Sequence, residues 1–409
     1  MHTETDFPIR HTAARRPAGR SRKLLVKRVW HIGAWNRNYG DWALAYQMHR
    51  LLNEQASQRG LWLDYYLVDG QRTYFHPRLI DQMNEESDLV ILGGGGNIFH
   101  RPEDKSQSGW MFNISFEDLD RILAPIAVYG VGYNRFPYDP TEFPGLTHRH
   151  LQQLQQRSQL FSVRDGATRE LLITQFGLNP AKAEVIPDPG IYLYDRPMPL
   201  PSRRKGGPVI AVNWAGDRPH YRFPAPHAVH ERHFFLTLKA ALLRCVQKLN
   251  AQVMFLPHLL HIDSDRFEEF AAGFPDGSIF STHLDVPFLY PPPGELLYPH
   301  VPFFTNLFRQ ADLVLGMRFH TCVLAFGAHR KFIPLGEHQK VRIFAEEAGV
   351  PQAYQLRTIE PGAQAVEQVF GTLRTCLSDA AYEEQLGRSH AAQVKVLRAF
   401  NERVLDLVT

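Results

Sequence analysis

The chain has 409 residues, 44% hydrophobic and 21% charged, with a formal net charge of +3. That length allows about two domains, the composition is that of a soluble globular enzyme, and so small a charge excess argues against nucleic acid as a partner. No run reaches the ~18 apolar residues of a membrane-spanning helix. Three cysteines, Cys245, Cys322 and Cys376, stand at no metal-binding spacing and fit a reducing, cytoplasmic compartment.

Residues 1–24 hold several arginines with Pro and Gly and no apolar h-region, so they do not read as a secretory signal. They read as a basic disordered tail, with peripheral docking on the inner face of an anionic membrane as the alternative. From residue 25 the pattern alternates. "KLLVKRVWHIGAW" is a strand, and "DWALAYQMHRLLNEQ" a helix with Leu44, Met48, Leu51 and Leu52 on one face. "LWLDYYLV" is a strand, "PRLIDQMNEE" a helix, "SDLVILGGGG" a buried strand ending in glycines, and "APIAVYGVG" another strand. After "LTHRHLQQLQQ" (helix) and "LFSVRD" (strand), the helix "GATRELLITQFG" starts at Asp165 as N-cap and stops by Gly177. Apolar strands in series with helices predict a parallel sheet covered on both faces.

Residues 196–208, "RPMPLPSRRKGGP", make the best linker. The alternation then restarts with "VIAVNW", a long helix over "ERHFFLTLKAALLRCVQKLN", "AQVMFLP", "SDRFEEFAAGF", "LVLGM", "HTCVLAFGAH" and "KFIPL", and ends in two helices. The predicted architecture is α/β: two Rossmann-like domains with parallel sheets, 25–195 and 209–363, in a GT-B-like arrangement with a cleft between them. Residues 364–409 are helical and placed to cross back to the first domain.

In open parallel sheets ligands bind beyond the carboxyl ends of the strands. There the sequence places "WNRNYGDWA", "GGGGNIF", "GVGYN", "SVRDGAT", "PDPG", "NWAGD" and "GMRFH". The glycines Gly93–Gly96 let backbone amides approach a ligand, or simply turn the chain; the pattern is neither a P-loop nor a dinucleotide fingerprint. Asp41 is either a helix N-cap or, with Asn36 and Asn38, a contact to sugar hydroxyls. Arg164 and Arg318 each follow an apolar strand, one in each domain. Each alone is consistent with a local salt bridge, for Arg164 with Asp165 or Asp188. Together they suit a small multiply charged anion gripped by two guanidinium forks. In an extended segment Arg318 and His320 point to the same side, and His320 adds a proton donor. "PHLLHIDSD", with His258, His261, Asp263 and Asp265, has a metal-like look but no fixed ligand spacing. The aromatic stretch 214–235 is either a self-packed loop or a carbohydrate platform.

With these residues assembled, the chain resembles the polysaccharide pyruvyl transferase family. The resemblance runs over "NYGDWAL", "DLVILGGGGNIF", "YGVGYN", "FSVRDGAT", "VIPDPGIYL" and "ADLVLGMRFHTCVLAFG...FIPLGEHQKVRIF", from about residue 28 to 350. It implies a GT-B-like enzyme that moves the enolpyruvyl unit of phosphoenolpyruvate onto a glycan, or a lipid-linked oligosaccharide, as a ketal, with no cofactor and no metal. Carried onto these motifs, donor binding falls to Arg164, Arg318, His320, Gly94, Gly95 and Lys340, with His320 as acid. Acceptor contacts fall to Asn36, Asn38, Tyr39, Asp41 and Asn97, with Asp41 as base. The alternatives are a nucleotide-sugar glycosyltransferase, for which Glu337 is the nearest ribose-binding carboxylate, a non-catalytic glycan-binding protein, and a metal-dependent hydrolase. The segments 214–235 and 288–300 lie outside the resemblance, and acceptor specificity is expected there and in the first domain.

Overall fold

The structure, a computed structural model, describes residues 9–11, 24–35, 38–100, 106–139, 141–193, 206–259, 262–282, 301–357, 359 and 361–409. Most of the 196–208 linker, Asn36, His261 and the 288–300 segment lie outside the described residues.

The first lobe is built on strands β1 (Ile9–His11), β2 (Leu25–Gly33), β3 (Leu61–Asp69), β4 (Leu89–Ile98), β5 (Ile126–Tyr133), β6 (Leu160–Val163) and β7 (Glu184–Val185). Their order across the sheet is β1-β3-β2-β4-β5-β6-β7, and every pairing but β1·β3 is parallel. The second lobe carries β8 (Val209–Asn213), β9 (Gln252–Phe255), β10 (Ile279–Ser281), β11 (Leu313–Gly316) and β12 (Lys331–Pro334), ordered β10-β9-β8-β11-β12 and wholly parallel. Central strands such as β4 are apolar on both faces because helices cover both sides of each sheet.

Three sequence expectations change. Residues 9–11 of the tail expected to be disordered pair antiparallel with Tyr65–Leu67. There they occupy an edge of β3 that would otherwise offer unpaired backbone groups. The strand "LVILGGGG" does not stop at its glycines but runs on to Ile98, with a register shift between Gly95 and Ile98. Gly93 has φ +131°, and a Cβ there would press on the Tyr129 carbonyl, so only glycine carries β4 past β5. Finally, helices Val301–Gln310 and Gln339–Ala348, absent from the sequence reading, form between recognised elements.

The helix Ala363–Ser378 packs on the second lobe against His227–Leu249. The last helix, Ala380–Asp406, then bonds to both lobes. Tyr382 donates to the Phe332 carbonyl of β12 at 2.7 Å. Near the helix's other end Asn401 accepts from the buried Tyr129 hydroxyl at 2.6 Å and donates to Gln55, while Arg59 pairs with Glu402 and Asp406. Deleting the Asn401 amide strands the Tyr129 hydroxyl. Asn401→Leu should therefore cost about 1–3 kcal/mol of stability, read as a lower midpoint in urea unfolding. An unchanged midpoint would remove the strapping role of this helix.

Candidate active site

Both sheets reverse strand order at one point, between β2 and β4 in the first lobe and between β8 and β11 in the second. Crevices open at such points beyond the carboxyl ends of the strands. The two crevices face each other, and the cavity between them has a volume of about 640 Å³. The first lobe lines it with Asn38, Asp41, Gly96, Asn97, Asn134 and Phe136. From the second come Asp217, Arg222, His258, Arg318, His320 and Lys340, with Phe319 and His338 beside them.

His320 is not in extended chain. Arg318 is the N-cap of the helix Phe319–Gly327, at φ −90° and ψ 144°, and His320 sits in its first turn. Both side chains nonetheless line the cavity, Arg318 bonded to Asp263 and Asp217 and His320 placed near Asp41 and Asp188. Asn213, at the end of β8, accepts from the Arg318 backbone N–H at 3.0 Å and fixes where that helix begins. The imidazole lies flush on Gly40 of the opposite lobe, where any Cβ would overlap the ring. Its Nδ1 stands 3.4 Å from Asp41 Oδ1, and its Nε2 3.6 Å from Asp188 Oδ2. Asp41 is not the N-cap of its helix. Asn38 is, accepting from the Gly40 N–H at 2.9 Å, which leaves the Asp41 carboxylate, one turn in, aimed into the cleft.

The two arginines behave differently from a matched pair of clamps. Arg318 spends Nε and Nη2 on Asp263, at 2.7 and 2.5 Å, and shares Nη2 with Asp217 at 2.8 Å. Burial opposes its charge, but Asp263 and Asp217 more than offset that and raise its proton affinity above the ordinary value. Burial likewise favours the neutral form of Asp217, yet Arg222 and Arg318 hold its carboxyl well below the usual carboxylate range. Asp263 does not cap a helix with its side chain. Besides Arg318 it accepts from the backbone N–H groups of His258, Leu259 and Gly216. Arg164 is off the lining altogether. It is buried behind Phe319, with Cζ 4.0 Å from the ring centroid and Nε 3.6 Å from Asp165, and its three side-chain nitrogens lack hydrogen-bond partners among the described residues. Asp165 keeps its expected role as N-cap, accepting from Thr168 at 2.6 Å.

Lys340, at the start of the Gln339–Ala348 helix, reaches across the cleft to Asn134 Oδ1 at 2.8 Å. Burial, and next the Arg164 cation, push its ammonium down to about 7. His338 beside it is buried, with no partner on either ring nitrogen among the described residues, and burial and the Lys340 charge hold it well below the usual imidazole range. Lys340, crowded against Arg164, Arg222 and Arg318, is costly to keep charged without an anion, and His338 beside it is held neutral.

Other expected site residues fall elsewhere. Tyr39 is core: its ring stacks on Phe304 at 4.9 Å and burial pushes its hydroxyl up to about 12. Its backbone N–H donates to the His258 carbonyl across the lobes. Gly94 packs on Leu44 and Gly95 faces Asp41, while Gly96 and Asn97 reach the lining. The 214–235 aromatics pack on themselves, with Trp214 fully buried against Phe223, Phe234 and Phe235, and only Tyr221 and Arg222 with their neighbours Asp217 and Arg218 reach the cavity. His258 bonds Thr321 through Nε2 at 3.0 Å rather than joining Asp263 in a ligand set, and among the described residues no His/Cys/Asp/Glu group has metal-site geometry. Glu337 lies off the cavity, 3.6 Å from Arg342. Asp188, Asp217, Arg222 and His338 were not singled out as site residues from the sequence. Asp188 and Asp217 stand in "PDPG" and "NWAGD" at strand ends, His338 in the "GEHQK" of the family resemblance, and Arg222 in the 214–235 aromatic stretch, where nothing local marks it.

Two α/β lobes with parallel sheets meeting at their switch points make a GT-B-like fold. The same fold occurs in a glycosyltransferase from Rickettsia africae ESF-5, with TM-score 0.52, 10% identity, and coverage of 94% of this chain and 98% of that one. It occurs also in a protein of Listeria monocytogenes assigned as a UDP-N-acetylglucosamine 2-epimerase, with TM-score 0.54, 12% identity, and coverage of 93% and 97%. At such identities the likeness is one of fold alone. No curated protein matches the sequence. The polysaccharide pyruvyl transferase family model matches residues 15–339, most of the chain, and the chain belongs to that family of transferases. No helix among the described residues is long and apolar enough to cross a membrane.

Because His320 rests on Gly40, Gly40→Ala should displace the imidazole while favouring the helix. Turnover is expected to fall about 10²-fold with the far-UV circular dichroism unchanged. Full activity in that variant would show that the Gly40–His320 contact is not needed.

Proposed function

We propose that the enzyme transfers the enolpyruvyl unit of phosphoenolpyruvate to two hydroxyls of a glycan acceptor, free or lipid-linked, forming a cyclic ketal and releasing phosphate. The observation that carries this is the crowding of Arg164, Arg222, Arg318 and Lys340 about one end of the cleft. Among the described residues no carboxylate forms an ion pair with Lys340. A compact dianion or trianion relieves that crowding, and bidentate and point-charge donors are both present for it. The two-arginine clamp expected from sequence gives way to Lys340 with the outward part of Arg318. Arg164 acts from behind Phe319 as a buried source of positive potential.

His320 gives its proton to the methylene carbon. The resulting oxocarbenium-like C2 is captured by the first hydroxyl, whose proton goes to Asp41. The second hydroxyl displaces phosphate, and its proton leaves with it. Acid and base stand 3.4 Å apart where the two lobes meet, so one sugar edge can meet both. No step calls on a cofactor.

The nucleotide-sugar alternative loses its carboxylate, since Glu337 is turned away from the cavity. Incubation with phosphoenolpyruvate and a panel of galactose, mannose and glucuronate glycosides should release phosphate, and nucleotide sugars should not be consumed. Lys340→Met is expected to lose roughly 10²–10³-fold and His320→Gln roughly 10²–10⁴-fold. Phosphate release unchanged in both would overturn the reading.

The state of Lys340 sets a pH dependence. Its folded-state value lies near 7, so the ammonium is charged below that and neutral above it. The kcat/KM for phosphoenolpyruvate should decline as pH rises from neutral to alkaline. Lys340→Arg, whose guanidinium stays charged, should flatten that limb; a limb identical in both enzymes would detach it from Lys340.

A further inference from the structure

We propose that Asp188 is the positioning residue for His320: its Oδ2 accepts a hydrogen bond from the imidazole Nε2–H and leaves Nδ1 as the atom that exchanges a proton in the cleft. This rests on His320 being the acid of the transfer reaction.

Two orphaned atoms face each other here. Asp188 Oδ2 and His320 Nε2 are both buried, neither has a hydrogen-bond partner among the described residues, and they stand 3.6 Å apart. A buried carboxylate oxygen and a buried ring nitrogen each cost free energy when unpaired, and one hydrogen bond between them satisfies both. Such bonds are often long in an unliganded enzyme and tighten with substrate in place. The rest of the Asp188 environment is already fixed. Oδ1 accepts from the Gly190 N–H at 2.9 Å, which locks the carboxylate plane. The turn Pro189–Ile191 is docked on the helix that carries His320, and a Cβ on Gly190 would stand 2.9 Å from Val323. The nearby Tyr129 hydroxyl is committed to Asn401 and does not compete.

On the other side of the ring Nδ1 faces Asp41, a lining residue. Proton traffic then runs in one direction. The Nδ1–H bond breaks as the carbon–hydrogen bond forms on the methylene, and the Nε2 proton stays shared with Asp188. Asp41 takes the hydroxyl proton as the oxygen–carbon bond forms, and Nδ1 recovers it across 3.4 Å.

Asp188→Asn separates this from a structural role. Gly190 N–H holds the amide oxygen on its side, so the amide NH₂ must face Nε2 and donate to it. The proton of the neutral imidazole is thereby forced onto Nδ1. In ¹⁵N-histidine-labelled enzyme, with the His320 signal identified by its loss in His320→Gln, neutral His320 should carry its proton on Nε2 in the wild type and on Nδ1 in Asp188→Asn. The variant's kcat should fall about 10²–10⁴-fold with the KM for phosphoenolpyruvate changed less than about threefold. An Nδ1–H tautomer in the wild type overturns the proposal, and that measurement decides the matter even if Asp188→Asn does not fold. An unchanged tautomer and kcat in the variant overturns it equally. A correct tautomer with no turnover of phosphoenolpyruvate by the wild type would instead sink the proposed reaction and leave the Asp188–His320 pair standing.

Discussion

Positive charge buried between two lobes is the constraint around which this molecule is arranged. Like charges in a poorly solvated cleft repel strongly, so each must be offset by a carboxylate, screened by a ring or left for a ligand. All three solutions appear. Asp263 and Asp217 offset Arg318 and Arg222, Phe319 covers Arg164, and Lys340 is left with an amide oxygen. The architecture follows from needing these groups close together but on separate bodies. Each sheet delivers its polar residues to a strand-order reversal, and the reversals are turned toward one another.

The same logic explains the placement of the small residues. Gly40 gives His320 room to lie against the opposite lobe, and Gly132 packs against the Arg164 guanidinium, where a side chain would collide. Neither position is about backbone freedom; each is about the distance of closest approach between groups from different elements. A family resemblance built on "NYGDWA" and "YGVGYN" therefore reflects tight packing around charged side chains as much as ligand contact.

Much of the fold could be read in advance. Runs such as "LWLDYYLV" and "LVLGM" are continuous and apolar, which marks strands buried on both faces, and helices with clear stops alternate with them. The helix Val301–Gln310 was missed because it follows the Pro-rich "YPPPGELLYP" segment with no clear start signal, although Val301, Phe304, Leu307 and Phe308 recur at helical spacing. In the site, position was legible but partnership was not. "GMRFH" marked a strand end, yet that Arg318 would bond Asp263, 55 residues away, is a tertiary fact with no local trace. Local reading also took His320 as extended, whereas the helix begins one residue earlier. Tyr39 stood in a polar loop motif, and only the fold shows its ring stacked on Phe304.

The strap helix also has a temporal side. Tyr129 and Asn401 are separated by 272 residues, so the first lobe is made long before its covering surface exists. At ordinary rates of synthesis that gap lasts on the order of tens of seconds. Throughout it, the face bearing Gln55 and Tyr129 is without its lid. Until residues 380–406 are made, the first lobe's Gln55 and Tyr129 lack the partners that the last helix supplies in the folded enzyme.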